Sequence, residues 1–215
     1  VAALNVGGQT IHSFFGFGPD ITPHGVKRRS GKRSELYRKL ELIIIDEISM
    51  VRADLLDAID AFLRLNRDTP EKPFGGVQMV FVGDLYQLPP VVTERDEELF
   101  TQGGYRSPYF FDAWALEDIS LIGIELEQVF RQKDESFVRV LNAIRTNTAT
   151  REDIAILNTR HAPPAGSASR ASPLIQKMAR GEAATAETDA PHLTATNSLA
   201  DAINADRLAR ITGKS

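Results

Sequence analysis

Two rhythms of apolar and polar positions alternate along this chain. Short, unbroken apolar runs occur in LIIIDEISMV (residues 42–51), VQMVFVGD (77–84) and ISLIGIEL (119–126). A run that is rich in β-branched residues and does not alternate predicts a parallel strand buried on both faces, since a half-exposed strand would carry a polar residue at every second position. Between the runs the apolar spacing lengthens. In VRADLLDAIDAFLRLNR (51–67), Val51, Leu55, Ile59, Phe62 and Leu63 recur at helical intervals, and that stripe belongs to a core rather than a site. ESFVRVLNAIR (135–145) and SLADAINADRLARI (198–211) repeat the helical pattern, and TIHSFFGFG (10–18) reads as a capped helical turn closed by glycines.

Strands that alternate with helices predict an α/β fold, a parallel sheet with right-handed crossovers and helices on its flanks. KRRSGKRSELYRKL (27–40) reads as a basic, glycine-broken stretch ahead of the first strand. Pro89 and Pro90 forbid any continuation of the second strand. From 162 to 191 the composition shifts to Ala, Pro, Ser and Gly, the mark of a long loop or partly ordered insertion, after which HLTATN (192–197) supplies one more strand. The chain contains no internal repeat.

Composition narrows the setting. At 215 residues with 42 % hydrophobic content the chain can build a real core, as one large domain or two small ones. With no cysteine there is no disulfide framework, and no apolar run approaches the roughly 20 residues that span a bilayer. An intracellular, soluble protein is expected, cytoplasmic or, in a eukaryote, nuclear or mitochondrial. The chain opens on Val1 without an initiator methionine or a signal-like segment, so a fragment of a longer protein is expected. A formal net charge of −4 means that any nucleic-acid contact must rest on local patches. Residues 27–39 form such a patch, with seven Lys or Arg against one Glu, although a solvated loop would look the same.

The chemistry is concentrated where the apolar runs end. Asp46 and Glu47 fall at the carboxyl end of the first strand, where open α/β sheets bind ligands, and Asp84 ends the second. Hard carboxylate oxygens in this number suit Mg2+, which keeps several waters and takes substrate phosphates as ligands. Glu47 is placed to orient or deprotonate a water attacking a phosphate, Gln87 offers an amide to the same water, and Arg131, after the third run, could neutralise charge on a transferred phosphoryl group. Each has a plainer alternative: a strand terminus for Asp46 and Glu47, a turn cap for Asp84, a surface ion pair for Arg131.

Taken in order, VAALNVGGQTIHSFFGFG, LIIIDEISMV, FGGVQMVFVGDLYQLPPV and LEQVFRQKDESFVRVLNAIR resemble motifs Ia, II, III and IV of the Pif/RecD-like superfamily 1 DNA helicases. EISMVRADLLDAIDAFLRLNR is similar to the signature segment of the Pif branch, and LTATNSLADAINADRLARI fits the second motor domain more loosely. The resemblance implies a RecA-like P-loop fold: residues 1–131 as a partial first motor domain with a small basic insertion at about 17–40, and 132–215 as the start of a second. It also implies ATP and Mg2+ as cofactors and single-stranded and forked DNA as partners. Asp46 would bind magnesium, Glu47 would be the catalytic base, Gln87 would sense the terminal phosphate, Asp84 would support the site, and Arg131 would reach the phosphate from the junction of the two motor domains. Thr10, His12, Ser13 and Phe15 would touch single-stranded DNA, and Lys27, Arg28 and Arg29 would meet its phosphates. For His12 and Phe15 the alternative is packing.

One departure is as informative as the matches. No G-x-x-x-x-G-K-[ST] loop, the usual backbone cradle for nucleotide phosphates, occurs in the sequence. The closing Gly213–Lys214–Ser215 is a decoy, because Leu208 stands where the first glycine belongs and a helical pattern precedes it. A DNA-stimulated ATPase segment, probed as part of its longer protein, is therefore the leading expectation, with the isolated chain inactive. A remnant that binds nucleic acid or a partner without turnover is the alternative, and a magnesium-dependent nuclease built on Asp46, Glu47 and Asp84 leaves Gln87 and Arg131 without roles.

Overall fold

A computed structural model of the protein describes residues 7–94, 96–97, 100, 104–130, 132–159, 193–194 and 196–210, with the side chains of 207 and 210 outside that description. The chain folds as two compact units, 1–154 and 155–215. The expected division at 131 thus falls inside the first unit, which retains the helical segment 135–145.

The first unit is organised around one helix. Helix α1 (Ile11–Phe15) is followed by α2 (Lys32–Lys39), strand β1 (Leu42–Ile45), α3 (Ala53–Asn66), β2 (Gln78–Phe81) and α4 (Glu135–Arg145), and the division at 154 falls within α5 (Arg151–Asn158). In α3 Ile59, Phe62 and Leu63 of the predicted stripe are wholly buried; Leu55 is only partly buried, and its neighbour Leu56 is the residue that enters the core. The opposite face of α3 is buried too. Its polar residues are tolerated there because each is matched: Arg52 pairs with Asp54, Arg64 with Asp60, and the Phe74 amide also donates to Asp60. Asp57 accepts from the Tyr105 hydroxyl at 2.7 Å and from the amides of Trp114 and Ala115. Burial pushes the Asp57 carboxyl up, and those three donors only partly offset it.

Strands β1 and β2 pair in parallel, with Leu42 opposite Gln78 and Ile45 opposite Phe81. The two strands predicted from the first apolar runs are therefore present, but burial on both faces is not. Burial alternates along each strand, and Ile44 is 61 % exposed, because a two-stranded sheet covered from one side leaves every second residue open. The third run departs further. Residues 119–126 join no ladder, and Ile122 is 90 % exposed. Apolarity and β-branching favour an extended backbone, but only a hydrogen-bonded neighbour makes it a strand, and none is seated beside it among the described residues.

The basic stretch is likewise more structured than its composition predicts. Gly31, at φ 65°, opens α2, whose Tyr37 is fully buried and donates its hydroxyl to the Phe14 carbonyl at 2.7 Å. The 162–191 insertion lies outside the described residues, whereas residues 193, 194, 196 and 197 of the HLTATN segment are described and form no strand; Asn197 already opens the following helix. In the second unit, the helix predicted after it is present as α6 (Asn197–Arg210). No helix among the described residues is long and apolar enough to cross a membrane.

Candidate active site

The carboxyl ends of β1 and β2 lie side by side, and the ladder continues one step beyond them. The Val82 amide donates to the Ile45 carbonyl at 2.9 Å, and the Ile48 amide donates to the Val82 carbonyl at 3.0 Å. This second bond stitches the segment after β1 to the segment after β2. Gly83 eases it, since a β-carbon there would stand 3.0 Å from both the Ile48 backbone nitrogen and its Cγ2, so that Ile48 would have to give by a few tenths of an ångström. No pattern in the apolar runs marks that glycine; the backbone approach across two distant segments does.

Asp46 and Glu47 sit at this junction, both exposed. The Glu47 amide donates to Asp46 Oδ1 at 3.0 Å, and Glu47 itself adopts the left-handed conformation, φ 54° and ψ 42°. For a residue with a β-carbon that costs on the order of 1–3 kcal/mol, and the flanking Ile48–Val82 bond is what holds it. Neither carboxylate forms an ion pair among the described residues. Asp46 therefore fits a single carboxylate ligand of a magnesium ion completed by waters and phosphate oxygens, and among the described residues no cluster of three or more His, Asp or Glu forms a protein-only metal cage.

Asp84 is placed differently. Its Oδ1 accepts from the Tyr86 amide at 3.0 Å and from Arg145 Nη2 at 3.2 Å; its Oδ2 accepts from Arg145 Nε at 2.9 Å and from Gln87 Nε2 at 3.4 Å. Four contacts saturate a carboxylate. Partial burial pushes the Asp84 carboxyl up, but the Tyr86 amide, Arg145 and Gln87 outweigh it and hold it below the usual carboxylate range. Both oxygens of Asp84 are thus engaged by its own turn and by Arg145. Gln87 is exposed, with its amide nitrogen turned to Asp84 and its backbone amide bonded to the Asp84 carbonyl at 3.0 Å. Arg145, which closes α4 and lies over the Tyr86 ring at 4.7 Å, is a contributor that sequence reading misses, because nothing local links residues 61 positions apart. Arg131 lies outside the described residues.

The expected nucleic-acid face divides in two. Thr10, His12 and Ser13 are exposed on or beside α1, where the Thr10 hydroxyl caps the helix by accepting from the Ser13 amide at 3.2 Å. Lys27 is exposed as well. Phe15 instead lies in the core, 2 % exposed, stacked on Phe17 at 5.2 Å and Tyr37 at 6.2 Å with Phe62 edge-on at 5.3 Å. No base can stack on a ring already covered on its faces. Arg28 is paired with Asp68, and Arg29 Nη2 donates to the Phe15 carbonyl at 2.9 Å and the Gly16 carbonyl at 2.6 Å. Arg29 also lies over Phe62, and its amide donates to Asn66 at 2.7 Å, so this arginine braces α1 from behind.

Residues 1–153 match the sequence profile of the family described as PIF1-like helicase. The chain belongs to that family. Within the PIF1-like helicases, the rat ATP-dependent DNA helicase PIF1 is 35 % identical over 156 residues, which are 71 % of this chain and 23 % of the relative. The Pif1 helicase from Bacteroides, solved with ADP-AlF3 and single-stranded DNA, is 34 % identical with a TM-score of 0.76, covering 100 % of this chain and 46 % of that one. A structure of two coordinating Pif1 helicases at forked double-stranded DNA is 44 % identical with a TM-score of 0.67, covering 73 % of this chain and 38 % of that one. The α/β fold of this PIF1-like chain is accordingly the RecA-like fold that the motif order implies, and the chain spans less than a quarter of the length of the rat relative.

Proposed function

We propose that this chain is the central part of a DNA-stimulated ATPase motor that moves along single-stranded DNA and unwinds forked duplexes, in replication, recombination, repair or telomere maintenance. The observation that supports it most is the stitched pair of strand ends, which presents the exposed carboxylates of Asp46 and Glu47, neither in an ion pair among the described residues, beside the braced Gln87 turn. In this reading Asp46 holds magnesium, which when bound neutralises phosphate charge. Glu47 accepts the proton of the water whose oxygen attacks the terminal phosphorus of ATP, and the ADP oxygen departs on the opposite side. The carbonyl end of Gln87, left free when its amide nitrogen turns to Asp84, accepts a hydrogen bond from that water. Arg131 stabilises charge on the phosphoryl oxygens. Thr10, His12, Ser13 and Lys27 contact the DNA backbone.

The chain supplies the hydrolytic half of such a site but no phosphate-cradling loop, so alone it should not turn over ATP near the roughly 1 s⁻¹ at which enzymes of this kind work. The decisive experiment is Glu47→Gln in the protein that carries this segment together with a phosphate loop. An amide still holds water but takes no proton, so ATP affinity should be kept while hydrolysis falls by about 10²-fold or more. Hydrolysis at the parent rate would return Glu47 to a plain strand terminus.

A further inference from the structure

Among the described residues of the first unit, one long-range polar link ends on the turn that carries Gln87. Arg145, the last residue of α4, offers both Nε and Nη2 to the two oxygens of Asp84, in a side-by-side fork spanning 61 residues of sequence. A lone exposed ion pair would carry little. This one differs in three respects. Its geometry is bidentate, the arrangement in which arginine is strongest and most directional. The guanidinium face is also used, at 4.7 Å from the Tyr86 ring. Every remaining contact of the Asp84 carboxylate is to its own turn, the Tyr86 amide at 3.0 Å and the Gln87 side chain at 3.4 Å.

We propose that Arg145 is a positioning residue for Gln87, acting through Asp84, so that a displacement of α4 changes the aim of the Gln87 amide. The proposal rests on the reading of Gln87 as the group that meets the attacking water. The 3.4 Å bond from Gln87 is at the weak end of the hydrogen-bond range, and it survives only while the carboxylate is held in place. The backbone of the turn does not depend on it, because the Gln87 amide bonds the Asp84 carbonyl at 3.0 Å regardless of the side chains. Loss of Arg145 should therefore leave the turn folded and free the two side chains. Helix α4 is a rigid lever of 11 residues, capped at its start by Asp134, whose side chain accepts from the Phe137 amide. A rotation at one end reaches Asp84 at the other.

The test is a double-mutant cycle in the full protein, using DNA-stimulated ATPase kcat and KM for ATP, with a melting curve for each variant. Arg145→Ala should lower kcat by about tenfold to a hundredfold, the usual cost of a misaimed group, with KM within about twofold and the melting temperature nearly unchanged. Arg145→Lys, which keeps the charge but loses the fork, should fall between. In a Gln87→Ala background, Arg145→Ala should cause no further loss. If the two losses multiply, or if Arg145→Ala leaves kcat at the parent value, the proposal is overturned. If Arg145→Ala lowers the melting temperature, Arg145→Gln, which keeps an aliphatic stem and a planar polar end but cannot form the fork, reads the same cycle. Gln87→Ala at the parent rate would instead overturn the reading of Gln87 itself.

Discussion

The basic segment and the strand-end acids look equivalent as runs of charge, yet the fold treats them differently. Around α1 and α2 three of the seven basic residues of 27–39 are committed to the structure, Arg29 to the carbonyls that close α1 and Arg28 and Arg38 to Asp68, while Lys27, Lys32, Arg33 and Lys39 are exposed without an ion pair among the described residues. At the ends of β1 and β2 the charges of Asp46 and Glu47 are left without ion pairs, while the neighbouring Asp84 is fully engaged. A charge committed to a carbonyl or a counter-ion is unavailable to a ligand unless that bond is broken first. Counting charges therefore overstates the DNA-facing capacity of residues 27–39 and understates the readiness of the two acids.

Three substitutions in the full protein can break or sharpen this contrast. Phe15→Ala should have the largest effect, about 3–5 kcal/mol of stability, because the ring is enclosed by Phe17, Tyr37 and Phe62. Denaturant unfolding reads it directly. A stable variant that loses affinity for single-stranded DNA would put the ring on the DNA face after all. Arg29→Ala comes next. It removes charge-assisted bonds to the Phe15 and Gly16 carbonyls, and about 1–3 kcal/mol of stability should go with them. The slope of DNA affinity against salt should hold constant; a flatter slope would assign Arg29 to a phosphate. Lys27→Ala should leave the melting curve unchanged and flatten the salt dependence by up to about 0.7, the value for one phosphate contact on a single strand. The combined replacement of Lys27, Arg28 and Arg29 should flatten it by no more than that, and a change three times larger would show that Arg28 and Arg29 leave their protein partners when DNA binds.

Much of this arrangement could be read in advance, and the failures have specific causes. α3 was legible because its apolar residues recur at a helical period, and β1 and β2 because short β-branched runs end abruptly at polar and glycine residues; that the two strands are neighbours is a contact only the ladder reveals. The 119–126 run was misread because an apolar, β-branched segment declares what it prefers but not whether a neighbour is available. Phe15 was ambiguous because an aromatic residue serves stacking and packing equally well, and only the enclosing rings decide. Gly83 and Arg145 were invisible for a common reason. Each matters through a contact with a distant segment, Gly83 against Ile48 and Arg145 against Asp84, and one sequence contains no record of such pairings.

The left-handed backbone of Glu47 bears on transplantation. Five letters, DEISM, can be moved onto any strand end, but the posture of the second acid cannot travel with them. It is held from outside, by the Val82 carbonyl just past the next strand and a glycine that eases the approach of the two backbones. A graft without the segment of Val82 and Gly83 should let Glu47 relax to an ordinary backbone conformation and lose the bond from its amide to Asp46 Oδ1. The portable unit of this site is therefore a pair of strand exits read together, and a designer who wishes to build an acid of this kind elsewhere must copy the neighbour as well as the acid.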